Sequence, residues 1–245
     1  ADARWAILAP PMATGTLLAR LRDLALDVVF PPRCAACGRH GSFLHDACVA
    51  AMPVAEPPRC SRCWDASATD PCGPCGRRPP AFNGLRSLYV MGGGAREAVH
   101  ALKYRGHAAA ARPMGALMAA HARAVRFDAD VVTAVPLVGR RRRVRGYNQS
   151  ELLAREVARE LRLPFDGRAL RRVRASPPQA RAATPEERRR NVEDAFRADA
   201  SRVAGRRALL IDDVATTGAT LDACARALKD AGAREVWCLT WARGD

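Results

Sequence analysis

The stretch that decides the fold is LLIDDVATTGATL, residues Leu209 to Leu221. Its first three apolar residues predict a short buried strand, and Asp212 and Asp213 follow directly at the carboxyl end of that strand. Ligands in open α/β sheets bind beyond the carboxyl ends of the strands. Side chains alternate between the two faces of a strand, so both carboxylates can serve one ligand only if the chain turns directly after Ile211. A strand, a binding turn and a helix from about Ala219 are therefore predicted.

The turn after the carboxylates has the composition of a phosphate site. It offers three hydroxyls, a glycine that permits close backbone approach, and the free N–H groups of a helix amino terminus. Its residues are Ala215, Thr216, Thr217, Gly218, Ala219 and Thr220. Unpaired amides and the positive end of the helix dipole favour a phosphate dianion, and carboxylates can accept hydrogen bonds from a vicinal diol. A ligand with both groups close together is a ribose 5-phosphate.

Two other classes of protein place acidic residues after an apolar strand. Receiver domains carry such a pair near their beginning, whereas Asp212 and Asp213 lie late in this sequence. Nucleotide hydrolases need G-x-x-x-x-G-K-[ST], and no glycine here precedes a lysine. A structural alternative stays open, in which the segment is only a buried strand followed by a capped helix.

The order of elements around this segment predicts the architecture. Strand-like and helix-like stretches alternate from residue 83 to residue 245, which is typical of an α/β domain with a mostly parallel sheet flanked by helices. We predict strands over residues 85–91, 131–135, 208–211 and 235–241, and helices from about residue 96 and over residues 149–161 and 219–231. Residues 176–191 are polar and interrupted by proline, and are predicted to form a loop.

Seven of the nine cysteines lie in one short stretch, three times as a C-x-x-C pair. This spacing lets two thiolates hold one tetrahedral metal ion from a single turn, and zinc is the expected metal. In sequence order the predicted ligands are Cys34, Cys37, His45, Cys48, Cys60, Cys63, Cys72 and Cys75. They make one site of three cysteines and a histidine and one of four cysteines, both closed and therefore structural. Cys224 and Cys238 lack the paired spacing and are predicted to fill the core.

The ligand pairing leaves two alternatives open. His40 competes with His45 for the fourth position of the first site, and a crossed arrangement of the C-x-x-C pairs is also possible. Large apolar residues are sparse in this stretch, so metal must hold it together. We predict three parts: residues 1–31, an amino-terminal segment with a helix over 16–29; residues 32–80, the metal module; and residues 81–245, the α/β domain. Residues 1–11 lack an initiating methionine and are left out of the fold prediction as a truncated end.

A formal net charge of +15 favours anionic partners such as nucleic acid, nucleotides or phosphorylated sugars. Lys103 and Lys229 are the only lysines, and the abundance of arginine fits either a compositional habit or selection for phosphate binding. No apolar run approaches the ~20 residues of a membrane span. With no secretory signal and with paired cysteines, a soluble cytoplasmic protein in a reducing compartment is expected.

The stretch after the strand resembles the phosphoribosyl pyrophosphate (PRPP) signature of type I phosphoribosyltransferases, in which apolar residues and two acids precede T-T-G-x-T. Other pieces resemble, in the same order, the ComF family of competence-associated phosphoribosyltransferase-like proteins. They are ALKYRG at 101–106, VPL at 135–137, RGYNQ at 145–149, and Gln179 followed by R-x-x-N at 188–191. FPPRC at 30–34 is similar to the turn that introduces the double zinc ribbon of that family. Over residues 16–245 the departures are His45, where cysteine is common, and alanines around Ala182, where leucine is frequent.

The resemblance implies a role for each part of the site. Asp212 and Asp213 would be the catalytic pair and hold the ribose hydroxyls, and residues 215–220 would hold the 5-phosphate. Pyrophosphate would lie at the turn and cations formed by Val135, Pro136, Leu137, Lys103 and Arg145. Mg²⁺ would bridge pyrophosphate and ribose oxygens, and a loop would close over the ligand with Gln179, Arg188 and Asn191. Two alternatives stay open: that Lys103 is only a solvated helix end, and that Arg145 is only one of many surface arginines.

Three functions are compatible with the sequence. The first is a PRPP-binding protein of the ComF type that supports DNA uptake in natural transformation, with phosphoribosyl transfer and pyrophosphate release as an open second step. The second is a single-stranded-DNA-binding or regulatory module that uses the PRPP pocket as a sensor; GRRRRVRG at 139–146 would bind phosphates, or is simply a solvated basic surface. The third is a nucleobase salvage enzyme of nucleoside metabolism. Expected partners are PRPP, single-stranded DNA and other competence proteins.

Overall fold

The computed structural model describes residues 31–137, 144–174 and 194–244. Three predictions lie outside these residues: the helix over 16–29, the arginine run within 139–143, and the loop that carries Gln179, Arg188 and Asn191.

A parallel sheet of four strands forms the centre of the α/β domain, in the order β1-β6-β5-β2. The strands are β1 (Gly84–Val90), β2 (Val131–Ala134), β5 (Arg207–Ala215) and β6 (Glu235–Arg243). Most of their residues are buried because helices cover both faces of the sheet. The predicted fold class is confirmed.

The sheet separates two apolar layers, and alternate residues of β5 enter each layer. Leu209 and Ile211 join one layer, with helices α3 (Gly93–Tyr104), α4 (Ala111–Ala124) and α5 (Gln149–Leu161). Leu210 joins the other layer, with helix α7 (Ala219–Asp230). Cys224 and Cys238 are fully buried in this second layer, as predicted.

A short antiparallel pair, β3 (Leu170–Arg172) and β4 (Phe196–Ala198), followed by helix α6 (Ala200–Val203), lies beside α7 and was not predicted. Three-residue strands are too short for an alternating pattern to reveal. Ala108–Ala110 form a turn of 3₁₀ helix before α4.

The metal module carries two short helices in its described residues, α1 (Asp46–Ala50) and α2 (Gly73–Arg77), and it covers one edge of the sheet. The N–H of Ala55 donates to Leu88 O of β1 at 2.9 Å, and the N–H of Val90 donates to Pro53 O at 2.8 Å. At the opposite edge, the N–H of Val132 donates to Pro164 O at 2.9 Å. Open strand edges tend to pair with other chains, so both segments protect the sheet, and the one with Pro53 and Ala55 also joins the metal module to it.

Candidate functional site

Two groups of metal-ligating side chains form in the metal module. In each group the four ligand atoms lie within 4.8 Å of one another. The groups are Cys34, Cys37, His45 and Cys48, and then Cys60, Cys63, Cys72 and Cys75. Each group follows the sequence order, so the structure brings together the sequential pairs and not the crossed ones.

The cysteine geometry fits a tetrahedral zinc ion. Sγ of Cys63 and Sγ of Cys72 are 3.7 Å apart, close to the ~3.8 Å that a tetrahedron with Zn–S bonds of ~2.3 Å requires. Backbone N–H groups donate to the sulfurs of Cys34 and Cys60. Burial raises the pKa of both thiols, but backbone hydrogen bonds outweigh burial and lower each pKa to about 7. Thiolates are the form that binds zinc, so this donor set suits a soft divalent cation.

His45 faces the first group with one ring nitrogen. Its Nδ1 lies 3.4 Å from Sγ of Cys37, while its Nε2 lies 3.1 Å from the carbonyl oxygen of His40. An Nε2–H that donates to a carbonyl leaves Nδ1 as an acceptor, which is the arrangement that commonly orients a metal-bound histidine. His40 therefore contributes its backbone to this contact, and His45 is the histidine in the group.

The two aspartates are held near the carboxyl end of β5 by separate partners. Ser150 Oγ donates to Asp212 Oδ1 at 2.7 Å, and Lys103 Nζ lies 2.5 Å from Asp213 Oδ2. Asp213 Oδ2 accepts no well-formed hydrogen bond among the described residues, so the ammonium of Lys103 is its partner there. The alternative of Lys103 as a solvated helix end is wrong, because its side chain is only 20% exposed and ion-paired.

The predicted end of this strand is also wrong. β5 continues to Ala215 because β6 runs equally far and pairs Asp212 with Thr240 and Ala215 with Arg243. The chain therefore does not turn directly after Ile211, and the two carboxylates begin on alternate faces of the strand. A ligand that reaches both must approach from the end of the strand.

Burial and charge act together on this group. Burial raises the pKa of Asp212, the negative charge of Asp213 adds to that effect, and Ser150 and Lys103 offset only part of it. Burial lowers the pKa of Lys103, but the charge of Asp213, its hydrogen bond to Lys103 and the charge of Asp212 together outweigh burial, and the pKa is raised. One ammonium thus compensates two buried carboxyls, which leaves room for a hydroxyl donor or a small cation.

The turn between β5 and α7 is shaped by Gly218 and Arg243. Gly218 has a φ of +73°, a left-handed conformation that glycine adopts without steric cost, and it caps α7. Arg243, whose side chain is buried, donates to the carbonyl oxygen of Thr216 and lies 3.4 Å from Asp65 of the metal module. In an arginine-rich sequence nothing distinguished Arg243, so sequence reasoning missed it.

A second motif connects the predicted pyrophosphate turn to the carboxylates. Asn148 Nδ2 donates to Val135 O at 3.0 Å, and Asn148 also caps α5, whose second residue, Ser150, holds Asp212. Arg145 is half-buried, donates to Gln149, and lies with its guanidinium 5.2 Å from the ring centroid of Tyr104. Arg145 is thus more than a free surface arginine. The available signal was the position of Asn148 just before a predicted helix and of Ser150 in its first turn.

An open pocket lies where α7 begins. The second metal group and the turn after β5 form its walls together. Its lining residues are Cys63, Cys75, Arg78, Pro80, Phe82, Thr217, Gly218, Ala219 and Asp222. The metal module therefore lies beside the turn after β5, while Asp212 and Asp213 are not among the residues that line this pocket.

A model of the phosphoribosyl transferase domain family matches residues 148–244, from Asn148 through the turn after β5 to Gly244. Fold and site thus define a phosphoribosyltransferase-like protein. The chain is 34% identical over 176 residues to DNA utilization protein YhgH of Escherichia coli K12, covering 69% of this chain and 77% of that protein. It is 35% identical over 109 residues to competence protein F of Haemophilus influenzae, covering 44% of this chain and 47% of that one. The chain belongs to the ComF family of phosphoribosyltransferase-like proteins, and the predicted resemblance is confirmed.

Among solved structures, the chain is similar to a glutamine PRPP amidotransferase from B. subtilis. The identity is 23% and the TM-score 0.39, over 55% of this chain and 26% of that one. Within the described ranges, no helix is long and apolar enough to cross a membrane.

Proposed function

We propose that this protein binds PRPP at the end of β5 and supports the uptake or use of DNA. The observation that carries the proposal is the pair of buried carboxylates, Asp212 and Asp213, near the carboxyl end of β5 and a few residues before a turn whose glycine opens a helix amino terminus. The names of the two relatives, DNA utilization protein and competence protein F, support the DNA role.

In this proposal each group of the site has one task. Asp212 and Asp213 accept hydrogen bonds from the ribose hydroxyls, and the turn from Ala215 to Thr220 donates backbone N–H groups to the 5-phosphate. Lys103, which is paired with Asp213, and Arg145, which donates to Gln149, would offset the charge of pyrophosphate bound at the turn of residues 135–137. Mg²⁺ bound with PRPP would neutralise pyrophosphate charge further. Outside the described residues, Gln179, Arg188 and Asn191 would cover the ligand.

Where transfer occurs, it is a displacement at the anomeric carbon. The bond from that carbon to pyrophosphate breaks, pyrophosphate leaves with the electron pair, and an acceptor atom forms the new bond. The transition state resembles an oxocarbenium ion, so the nearby carboxylates would stabilise its positive charge while Lys103 and Arg145 stabilise the leaving group. The protein acts mainly by positioning. This is the chemistry of a pentosyl glycosyltransferase.

We propose that the two metal groups hold structural zinc, that the protein works in the reducing cytoplasm, and that single-stranded DNA and other competence proteins are its partners. A second candidate is a DNA-binding or regulatory module that senses PRPP. It is favoured by the Lys103–Asp213 ion pair, which connects the site to the outer end of α3, where Tyr104 is exposed.

Calorimetric titration of PRPP with Mg²⁺ into the zinc-loaded full chain tests the site. We expect saturable binding that is lost in Asp212→Asn and Asp213→Asn, because the amide nitrogen of asparagine donates a hydrogen bond where the carboxylate accepts one, and a neutral amide cannot balance a cation. Asp230→Asn, an exposed change at the end of α7, is the matched control and keeps its affinity. Full affinity in both site variants, with unchanged thermal unfolding, would refute the proposal.

A further inference from the structure

Tyr104 is an exposed aromatic residue beside the candidate site. It is the last residue of α3, directly after the lysine that pairs with Asp213. Its side chain is 71% exposed, whereas Tyr89 is buried in the core and Tyr147 is tied by its hydroxyl to Leu102 O at 2.6 Å. An exposed aromatic ring offers a flat apolar face, so Tyr104 is available for stacking beside the candidate site.

One cation lies against the ring. The guanidinium of Arg145 lies 5.2 Å from the ring centroid, and the ring centroid of His100 lies 5.6 Å away in an edge-to-face arrangement. Arg105 follows in sequence and is paired with Glu97 at 3.0 Å. With Arg145 at one face and most of the ring exposed, enough ring surface remains for a flat ligand.

We propose that Tyr104 and Arg145 form a stacking site for an unpaired base of single-stranded DNA. An aromatic ring offers a platform to any base, and an adjacent guanidinium adds stacking and neutralises the phosphates on either side. Bases of a duplex are enclosed in their own stack and cannot reach the ring. The high positive charge of the chain favours a polyanion over an apolar peptide at this position. The proposal extends the DNA role and does not require phosphoribosyl transfer.

The test measures fluorescence anisotropy of a labelled oligothymidylate of about 20 nucleotides, longer than the ~4–16 nucleotides that single-strand sites cover. The zinc-loaded full chain is compared with Tyr104→Ala, Tyr104→Leu and Tyr104→Phe. Loss of one stacked base should weaken binding by about fivefold to a hundredfold in the alanine and leucine variants. Tyr104→Phe keeps the ring and should stay within about twofold of the parent protein, because stacking needs the ring rather than the hydroxyl.

A photochemical readout reports contact directly. Irradiation of the complex with an oligonucleotide containing 5-bromodeoxyuridine should give a crosslink at Tyr104, located by mass spectrometry of the digested protein. Substitution of Arg145 by glutamine should weaken binding and lower the salt dependence, since one fewer phosphate is neutralised. PRPP affinity of Tyr104→Ala, measured by calorimetry, should equal that of the parent protein.

The stacking site would be refuted if the full chain did not bind the oligonucleotide or bound a duplex as tightly as the single strand. It would also be refuted if Tyr104→Ala or Tyr104→Leu bound the oligonucleotide as tightly as Tyr104→Phe. A full chain that stacks DNA at Tyr104 without binding PRPP would refute only the PRPP proposal. The two failures are therefore distinguishable.

Discussion

Replacing Arg243 by methionine should weaken PRPP binding far more than it weakens the fold. The guanidinium of Arg243 donates to the carbonyl oxygen of Thr216, the residue at which the turn after β5 begins. Methionine fills a similar length of the same buried space but donates no hydrogen bond. The turn would then lose the contact that holds its backbone in place for a phosphate.

The structure allows the size of both effects to be worked out. A hydrogen bond from a charged group contributes about 1.5–3 kcal/mol, and the Asp65 partner is 55% exposed, so that ion pair adds at most about 1 kcal/mol. A gain offsets part of these losses. Nε of Arg243 is buried and makes no hydrogen bond in the described part of the chain, so replacing this incompletely paired buried charge recovers desolvation energy. We therefore expect Arg243→Met to lower the unfolding free energy by only about 1 kcal/mol. PRPP affinity should be about tenfold to a hundredfold weaker, where each tenfold corresponds to about 1.4 kcal/mol of binding free energy.

The assay is PRPP calorimetry with Mg²⁺, alongside urea unfolding of the same samples. Asp65→Asn is the control, because it removes the exposed ion pair and keeps the bond to Thr216; its PRPP affinity should change by less than about threefold, as expected for a pair worth under 1 kcal/mol. If Arg243→Met bound PRPP as tightly as the parent protein while remaining folded, Arg243 would have no role in positioning the turn.

Gly218→Ala should lower the unfolding free energy by about 1 kcal/mol in urea titrations, because a left-handed φ of +73° costs a residue with a Cβ that much even with space available. Gly76→Ala is the control; it has open space and a φ outside that region, and because it lies in helix α2 it should raise the unfolding free energy by up to about 1 kcal/mol. Lys103→Met should destabilise the fold by roughly 2–4 kcal/mol at about pH 8, since a buried carboxylate loses its cation. The pKa of Asp212 is raised, so its ionised form destabilises the fold above that pKa and protonation removes the destabilisation below it. The loss of unfolding free energy in Lys103→Met should therefore be smaller at about pH 6 than at about pH 8. An equal loss at both pH values would contradict this account. A strong chelator should release two metal ions per chain, counted colorimetrically. Release should also lower the midpoint of thermal unfolding, because the two metal groups hold together a module with few large apolar residues. An unchanged midpoint after complete release would argue against a structural role.

Local patterns were sufficient for the parts of the site that are close together in sequence. C-x-x-C spacing places two thiolates on one turn, so both metal groups could be predicted before any tertiary contact was known. The turn from Thr216 to Gly218 was equally readable, since its left-handed glycine and the following helix are consecutive residues. In each case the chemistry depends on neighbours within a few residues.

Features that depend on distant segments were not predictable in the same way. The end of β5 is set by the length of β6, which the sequence of β5 does not contain. Ser150 reaches Asp212 and Arg243 reaches Thr216 only because parallel strands and their helices bring the segments to one end of the sheet. No spacing in the sequence marks a serine or an arginine for a contact of this kind, whereas C-x-x-C spacing marks a pair of cysteines as metal ligands.

Three contacts connect the metal module to the turn after β5, where we propose that PRPP binds. Asp65, which lies between the ligands of the second metal group, pairs with Arg243, and Arg243 donates to Thr216 of that turn. The N–H of Ala81, just after the module, donates to Asp222 Oδ1 of α7 at 2.6 Å. Cys63 and Cys75 line the same pocket as Gly218. If zinc holds the metal module against this turn, metal loss should weaken PRPP binding before the central sheet unfolds. The turn would lose its contacts with the module, while the buried strands would keep their packing and hydrogen bonds.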